Sequence, residues 1–352
     1  MNLDEIRKNI DQIDLEILRL LNKRNEFALR AKRFKKEIED PRREQEVLEI
    51  VRKSPTFLLK KEFVDKLFSD IISESKRIQS EVTTLVGFQG EHGAYSEIAA
   101  FKYTQNASTI PCNEFSDVFN GVKSGTFDMG VVPVENSIGG SIADVNDLLI
   151  ETDLNVVGEV TVPIHHCLLS IPETDYRDIK VVYSHPQALS QCKGFISRNK
   201  LEAIPYYDTA GSAMMLSQSR PKAAAAIASK LCADIYGLEI LKENIEDSGP
   251  NITRFLVISK QKEKGGNKCS AVFSTPHKAG ALFGVLKIFA EAGINLTRIE
   301  SRPIPSKPKQ FAFLLDFLGS DSDPTVVSAI EKATKECEYF RLLGCYKKAV
   351  DW

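Results

Sequence analysis

No run of 18 apolar residues occurs anywhere in this chain, and its first residues, MNLDEIRKN, lack the apolar core of a secretory leader. A membrane span is therefore not expected, and a cytoplasmic location is. An excess of charge of one sign is also missing: the formal net charge of -2 gives no electrostatic reason to expect nucleic acid. The seven cysteines (Cys112, Cys167, Cys192, Cys232, Cys269, Cys337 and Cys345) are odd in number and never form a Cys-x-x-Cys arrangement. They are expected to be reduced and mostly core or near-core residues. The five histidines show no His-x-x-x-His or His-Glu-x-x-His spacing, and the adjacent His165 and His166 would point to opposite faces of a strand. No metal site is expected. Gly87, Gly90 and Gly93 read G-x-x-G-x-x-G, not the G-x-G-x-x-G of a dinucleotide fold, so no cofactor is expected either. What is present, 352 residues that are 43% hydrophobic and 27% charged, is the mix of a soluble globular protein with two or three domains.

Neither glycine nor proline interrupts Leu3 to Glu39. Ile6, Ile10, Ile13, Ile17, Leu20, Phe27, Ala31, Phe34 and Ile38 recur there at steps of four and three, the seam of one helix roughly 55 Å long. That is too long for the short helices after it to cover, so a second copy of the chain is expected to cover the seam, giving a homodimer or higher homo-oligomer. The alternation calls for an apolar residue at position 24, and Arg24 stands there. A lone charge on a seam reads as a register-setting polar residue. With Arg7 and Lys35 bordering the same stripe, the reading shifts to a site for a small polyanion, because a buried cation needs a partner anion.

Asp40-Pro41 breaks the pattern, a second helix runs from Arg42 to Lys53, and a third from about Leu58 to Gln79. The set Arg7, Arg24, Lys35, Asp40, Arg43, Glu44, Ser75 and Gln79 on three helices resembles the all-helical chorismate mutase domain. The resemblance implies an interlocked dimer in which Arg7 serves the partner's site. It further implies that Arg7, Arg24 and Arg43 hold the two carboxylates of chorismate, with Asp40 and Ser75 in the same site. Lys35 and Gln79 would then meet the ether oxygen, and Glu44 the substrate hydroxyl. Such a rearrangement needs no nucleophile, only a fixed conformer and stabilised charge.

Ser80 to Thr84 reads as a linker, because the periodicity changes after it. From Leu85 to Ile258 the short apolar runs LVGF, MGVVPV, NVVGEV, CLLSI, VVYS, AAAAIA and FLVI alternate with helical patterns, which predicts an α/β domain. Small and hydroxylated residues where runs end, at 90–96, 135–141, 184–192 and 208–212, can aim backbone N–H groups at an anion, although each taken singly reads as a helix cap. GFQGEHGAYS, VVPVENSIGGS, VYSHPQALSQC and NITRF together resemble prephenate dehydratase across this segment. That resemblance implies two lobes around a cleft, similar to periplasmic binding proteins. It implies Thr253 as the key hydroxyl, with Asn136, Ser184 and Gln191 as site residues. Glu135 is left as a site residue or a structural carboxylate, and Arg254 as a carboxylate ligand or a loop brace.

Ser259 to Lys268 is charged and without apolar period, a second linker. The strand, helix, strand, strand, helix, strand order beyond it resembles the ACT regulatory domain, an α+β ferredoxin-like fold. HKAGALFGVL and NLTRIESRP resemble its phenylalanine-binding motifs, which implies effector contacts at Gly280, Ala281, Leu282, Asn295, Leu296, Glu300 and Ser301. The expected organisation is mutase over 1–80, dehydratase over 84–259 and regulatory domain over 268–350. The small molecules implied are chorismate, prephenate and L-phenylalanine. Two other classes stay open: a non-catalytic amino-acid sensor with a binding-protein-like core, which would not need the Thr253 hydroxyl, and a helix-dimerised structural protein.

Overall fold

The first helix, α1 (Leu3–Lys32), begins where Asn2 and Glu5 cap each other: Asn2 Oδ1 accepts from Glu5 N at 2.9 Å and Glu5 accepts from Asn2 N at 2.9 Å. In this computed structural model, residues 2–81, 84–247, 249–263, 265–304 and 310–349 are described. Two compact units, Met1–Leu85 and Val86–Trp352, make up the chain. The expected first linker, Ser80 to Thr84, lies partly outside the described residues.

The expectation of one helix to Glu39 is corrected. The N–H groups of Arg33, Phe34 and Lys35 turn back to the carbonyls of Arg30, Ala31 and Lys32, the tight i to i-3 pattern of a closing helix. No glycine or proline marks this stop, because its cause is tertiary. The turn brings Lys35 and Ile38 back over Arg24 beside one pocket, where a straight helix would carry them away. Then come α2 (Pro41–Lys53), capped by Asp40, and α3 (Lys61–Ser80), which leaves Leu58 outside the third helix and exposed. Ile6, Ile10, Ile13, Ile17 and Leu20 are 43% to 56% exposed, so the described residues leave most of the α1 seam uncovered.

The second unit begins with β1 (Thr84–Gln89), α4 (Tyr95–Tyr103), β2 (Ala107–Cys112), α5 (Phe115–Ser124), β3 (Met129–Asn136), β4 (Gly140–Ser141), α6 (Ala143–Glu151) and β5 (Asn155–Pro163). A second lobe follows: β6 (Cys167–Ser170), a 3₁₀ turn at Tyr176–Asp178, β7 (Val181–Ser184), α7 (Pro186–Gln191), α8 (Lys193–Arg198) and β8 (Glu202–Pro205). It is completed by α9 (Thr209–Ser219), β9 (Ala224–Ala228), α10 (Lys230–Tyr236) and β10 (Glu239–Lys242). The chain then returns to the first sheet as β11 (Ile252–Ser259), giving sheets ordered β2-β1-β3-β11-β5 and β10-β6-β9-β7-β8. Two crossovers join the lobes, and Ile164 N donates to Asn251 O at 2.7 Å where they meet. His165 and His166 lie in the first crossover and not in a strand; His166 is buried and His165 is exposed.

The remaining elements are β12 (Lys268–Ser274), α11 (Ala281–Glu291), β13 (Leu296–Pro303), β14 (Phe311–Leu318), α12 (Pro324–Glu336) and β15 (Tyr339–Tyr346). Their antiparallel sheet runs β13-β14-β12-β15, and Phe273, Phe289 and Phe317 lie in the core beside Val285 and Val326. Cys269 and Cys345 are directly opposed on β12 and β15 and form a disulfide, against the expectation that all seven cysteines are reduced. A cross-strand register, invisible in residue spacing, is what brings them together. The expected second linker does not hold its flanking domains apart. Ser259 and Lys268 are both buried, and Gly344 of β15 passes so close to β5 that a Cβ there would lie 2.0 Å from Val156 O.

Candidate active sites

The three helices of the first unit enclose a pocket of about 270 Å³ lined by Arg24, Lys35, Asp40, Arg43, Glu44, Ser75 and Gln79. Arg24 reaches it from α1 and donates to Ser75 Oγ at 2.5 Å, a neutral acceptor, and burial lowers the pKa of its guanidinium. Ser75 Oγ is also 2.8 Å from Asn25 Oδ1 and 2.9 Å from Ile71 O, and its single proton serves one of them. Asp40 both caps α2, accepting from Arg43 N at 3.0 Å, and faces the cavity. Gln79 Nε2 donates to Ala28 O at 2.9 Å, while its buried Oε1 has no hydrogen-bond partner among the described residues. Lys76, which sequence reasoning passed over, also lines the pocket, with Nζ 3.1 Å from both oxygens of Glu44. Its signal was available: it sits three residues before Gln79, on the same helix face. Four cations (Arg24, Lys35, Arg43, Lys76) thus face two carboxylates (Asp40, Glu44), an environment suited to a dianion. Arg7 is not among the residues lining it; it sits exposed on α1, 3.9 Å from Asp4.

In the second unit Thr253 on β11 stands opposite Asn136 on β3, and both are buried. Asn136 Oδ1 accepts from Ile138 N at 3.0 Å and Gly139 N at 2.6 Å, so two backbone donors fix which end of its amide is oxygen. The Nδ2 end then donates to Thr253 Oγ1 at 2.9 Å and to Asn251 Oδ1 at 2.7 Å. Thr253 therefore accepts from Asn136, and its own proton is left for another acceptor. Ser184 is fully buried in the second lobe, donating to Ile227 O at 2.6 Å. Gln191 meets His166 Nε2 at 2.8 Å; burial lowers the pKa of that imidazole, which favours its neutral form. The hydrogen bonds join Asn136 with Thr253, and keep Ser184 and Gln191 within the other lobe and its crossover.

Glu135, next to Asn136, alternates to the other face of β3 and enters a buried ionic cluster around Arg254. Arg254 contacts Glu159 at 2.7 Å, Glu135 at 3.0 Å and Asp316 at 2.7 Å; Lys268 pairs with Glu159 at 2.8 Å. Burial opposes the charge on Arg254, but Asp316, Glu159 and Glu135 outweigh it and hold the guanidinium ionised. For Asp316, burial raises the carboxyl and Arg254 with Arg298 more than offsets this, leaving it below the usual carboxylate range.

Family models match the chain as chorismate mutase type II over residues 6–80, prephenate dehydratase over 86–263 and ACT domain over 270–334. It is 35% identical over 361 residues to the bifunctional chorismate mutase/prephenate dehydratase of Aquifex aeolicus, covering 99% of this chain and 98% of that one. The chain belongs to the bifunctional chorismate mutase/prephenate dehydratase family. Among solved structures, the prephenate dehydratase of Arthrobacter aurescens in complex with L-Phe aligns with a TM-score of 0.69 at 31% identity, covering 75% of this chain and 90% of that one. A protein described as a novel type of quorum quenching acylase aligns with a TM-score of 0.70 at 33% identity, over 75% of this chain and 97% of that one. The fold is accordingly a helical mutase domain, a two-lobed dehydratase domain and a ferredoxin-like ACT domain, and the enzyme carries isomerase and lyase activities.

In the ACT domain Gly280 takes φ +82° and opens α11, a conformation that a side chain would strain. Ala281 and Leu282 follow in the first turn, Asn295 precedes β13, and Leu296, Glu300 and Ser301 lie along it. A cavity of about 150 Å³ near this turn is lined by Thr275, His277, Leu282, Gln310, Phe311 and Phe313, among others. Of the expected effector residues only Leu282 borders it. β13 is the edge of its sheet among the described residues, with Asn295 before it and Leu296, Glu300 and Ser301 along it. The ionic cluster ties this domain to the dehydratase, and other contacts add to it. Arg302 pairs with Asp147 through two bonds of 2.6 and 2.7 Å, Arg298 donates to Asn146 at 2.6 Å, and Arg341 to the carbonyls of Leu149 and Thr152.

Proposed function

We propose that catalysis by the mutase domain (1–80) uses the pocket of the three helices, with Arg24, Arg43 and Arg7 of the partner subunit holding the two carboxylates of chorismate. Asp40 and Ser75 shape the same pocket. Lys35 and Gln79 stabilise charge on the breaking ether, and Glu44 accepts from the hydroxyl. In the dehydratase domain (84–259), Thr253 donates to the departing hydroxyl of prephenate, and Asn136, Ser184, Gln191 and Glu135 order the site around it. The observation that carries the first reading is the convergence, in one 270 Å³ pocket, of eight polar residues drawn from three helices and the turn between them. Supplying chorismate to the purified protein and following phenylpyruvate tests both reactions in sequence.

The uncovered α1 seam supports a homodimer, in which the exposed Arg7 of each copy enters the other's pocket. Mixing inactive Arg7→Ala and Arg24→Ala subunits should then restore some of the mutase activity, since a heterodimer holds one intact site. Absence of recovery after verified subunit exchange would count against the shared site.

L-phenylalanine, in this reading, binds the ACT domain (268–350) at Gly280, Ala281, Leu282, Asn295, Leu296, Glu300 and Ser301, between two copies of it, and inhibits the dehydratase. The buried cluster supports a route for that coupling, because Arg254 is bonded in sequence to Thr253 and in space to Asp316 of the ACT sheet. Gly344→Ala should break the docking selectively, its added Cβ colliding with the Val156 carbonyl. Calorimetry should show phenylalanine still bound, while the usual coupling of about 5- to 150-fold on prephenate affinity disappears. Full inhibition retained in that variant would remove docking from the route.

A further inference from the structure

We infer that Asn251, which the dehydratase reading leaves without a role, is a second hydrogen-bond donor to the departing hydroxyl of prephenate. It acts beside Thr253, so the inference rests on that reading and deepens it. Asn251 is 4% exposed, and its Nδ2 is buried with no hydrogen-bond partner among the described residues. A buried amide N–H₂ without an acceptor is destabilising, so its persistence needs an explanation.

The orientation of this amide is determined. Ile138 N and Gly139 N fix Asn136 Oδ1, the Nδ2 end of Asn136 points to Asn251 Oδ1 at 2.7 Å, and the opposite edge of Asn251 must be the donor. Placement supports the same role. Asn251 and Thr253 are two apart on an extended segment and share a side, and the same Asn136 Nδ2 touches both. Asn251 also lies where the two crossovers meet, its carbonyl accepting from Ile164 N, at the base of the junction between the lobes.

The chemistry calls for such a pair. The C–CO₂ bond pair moves into the ring and carbon dioxide leaves. The C–OH pair departs with its oxygen as hydroxide; a proton from a solvent water completes a water molecule and leaves the hydroxide equivalent in bulk solvent. Negative charge grows on one oxygen, and two fixed donors, Asn251 Nδ2–H and Thr253 Oγ–H, stabilise it more than they stabilise the neutral hydroxyl. Both residues end as they began.

A purely structural Asn251 would serve only through Oδ1, by holding Asn136. Asn251→Asp separates the roles, since it keeps that acceptor and removes the donor. The experiment measures prephenate turnover by the full-length Asn251→Asp, Asn251→Ala and Thr253→Ala proteins, with mutase activity as the control for folding. Expected is a fall in kcat of about 10²-fold in Asn251→Asp, larger than any rise in KM. Its rate should recover as pH is lowered and the new carboxyl, once protonated, becomes a donor. Turnover by Asn251→Asp near the wild-type rate would overturn the inference, as would loss confined to KM. Failure of the underlying reading looks different: Thr253→Ala would then also retain activity, or the wild-type protein would not consume prephenate.

Discussion

Arg24→Leu is expected to lower mutase kcat/KM by about 10²- to 10³-fold, the usual consequence of removing one charged donor from a site that stabilises developing charge. Thermal stability should be unchanged or higher. The reason lies in the pairing: Arg24 donates to a neutral hydroxyl, Ser75, and burial already works against its charge. Exchanging a half-buried cation for an apolar side chain of similar volume removes a desolvation cost, and Leu20 and Phe27 continue the stripe on either side. Ser75 still donates its proton to Asn25 Oδ1 or Ile71 O, so its donor is not orphaned. Near-normal chorismate conversion by Arg24→Leu would place substrate binding elsewhere. Loss of activity together with a large drop in melting temperature would instead make Arg24 a structural residue.

Much of the fold was legible because each domain writes its period into the chain. The α1 seam, the apolar runs that became β1, β3, β5, β6, β7, β9 and β11, and the strand and helix order of the ACT domain are all local signals. β2, β8 and β10 were missed, and each has few consecutive apolar residues: ASTIPC, EAIP and EILK. The end of α1 at Lys32 was missed because no residue there stops a helix; the pocket does. Cys269 and Cys345 could not be paired from a spacing of 76 residues, since only the register of β12 and β15 opposes them.

The candidate sites divide in the same way. A charge on an apolar seam exposes Arg24 to a reader of sequence, whereas Lys76 is marked only by its place one turn before Gln79, a weaker signal that Glu44 beside it makes plain. Arg254 and Glu135 are ambiguous in sequence because their partners are far along the chain: each other, Glu159 on β5 and, from the next domain, Asp316 and Arg298. Glu135, Glu159 and Arg254 carry one excess negative charge, and Lys268, Arg298 and Asp316 one excess positive charge, so only the docked pair is neutral. Such an interface is tight while dry and separates at modest cost, because each ion regains water on opening. That property is what the docking route proposed above for phenylalanine calls for.

Thr253→Ala should reduce dehydratase kcat by about 10²- to 10³-fold and leave chorismate consumption untouched, so that prephenate accumulates. Thr253 cannot serve as a strong acid, since a hydroxyl holds its proton too tightly. The hydrogen bond from Asn136 nevertheless sets it as a donor, because an oxygen that accepts from one side presents its proton elsewhere. The effect should fall on kcat more than on KM, as the departing oxygen gains charge only in the transition state. Thr253→Ser restores the hydroxyl without the methyl, and should recover most of the rate if the donor is what matters. Thr253→Val keeps the shape, removes the donor, and should stay as slow as Ala. Because Arg254 lies next in the chain and is held by Glu135, Glu159 and Asp316, neither substitution should disturb docking or the binding of phenylalanine. Full turnover by Thr253→Val would exclude the hydroxyl from the reaction. Loss of mutase activity in the same folded variant would show that one site, and not two, performs both steps.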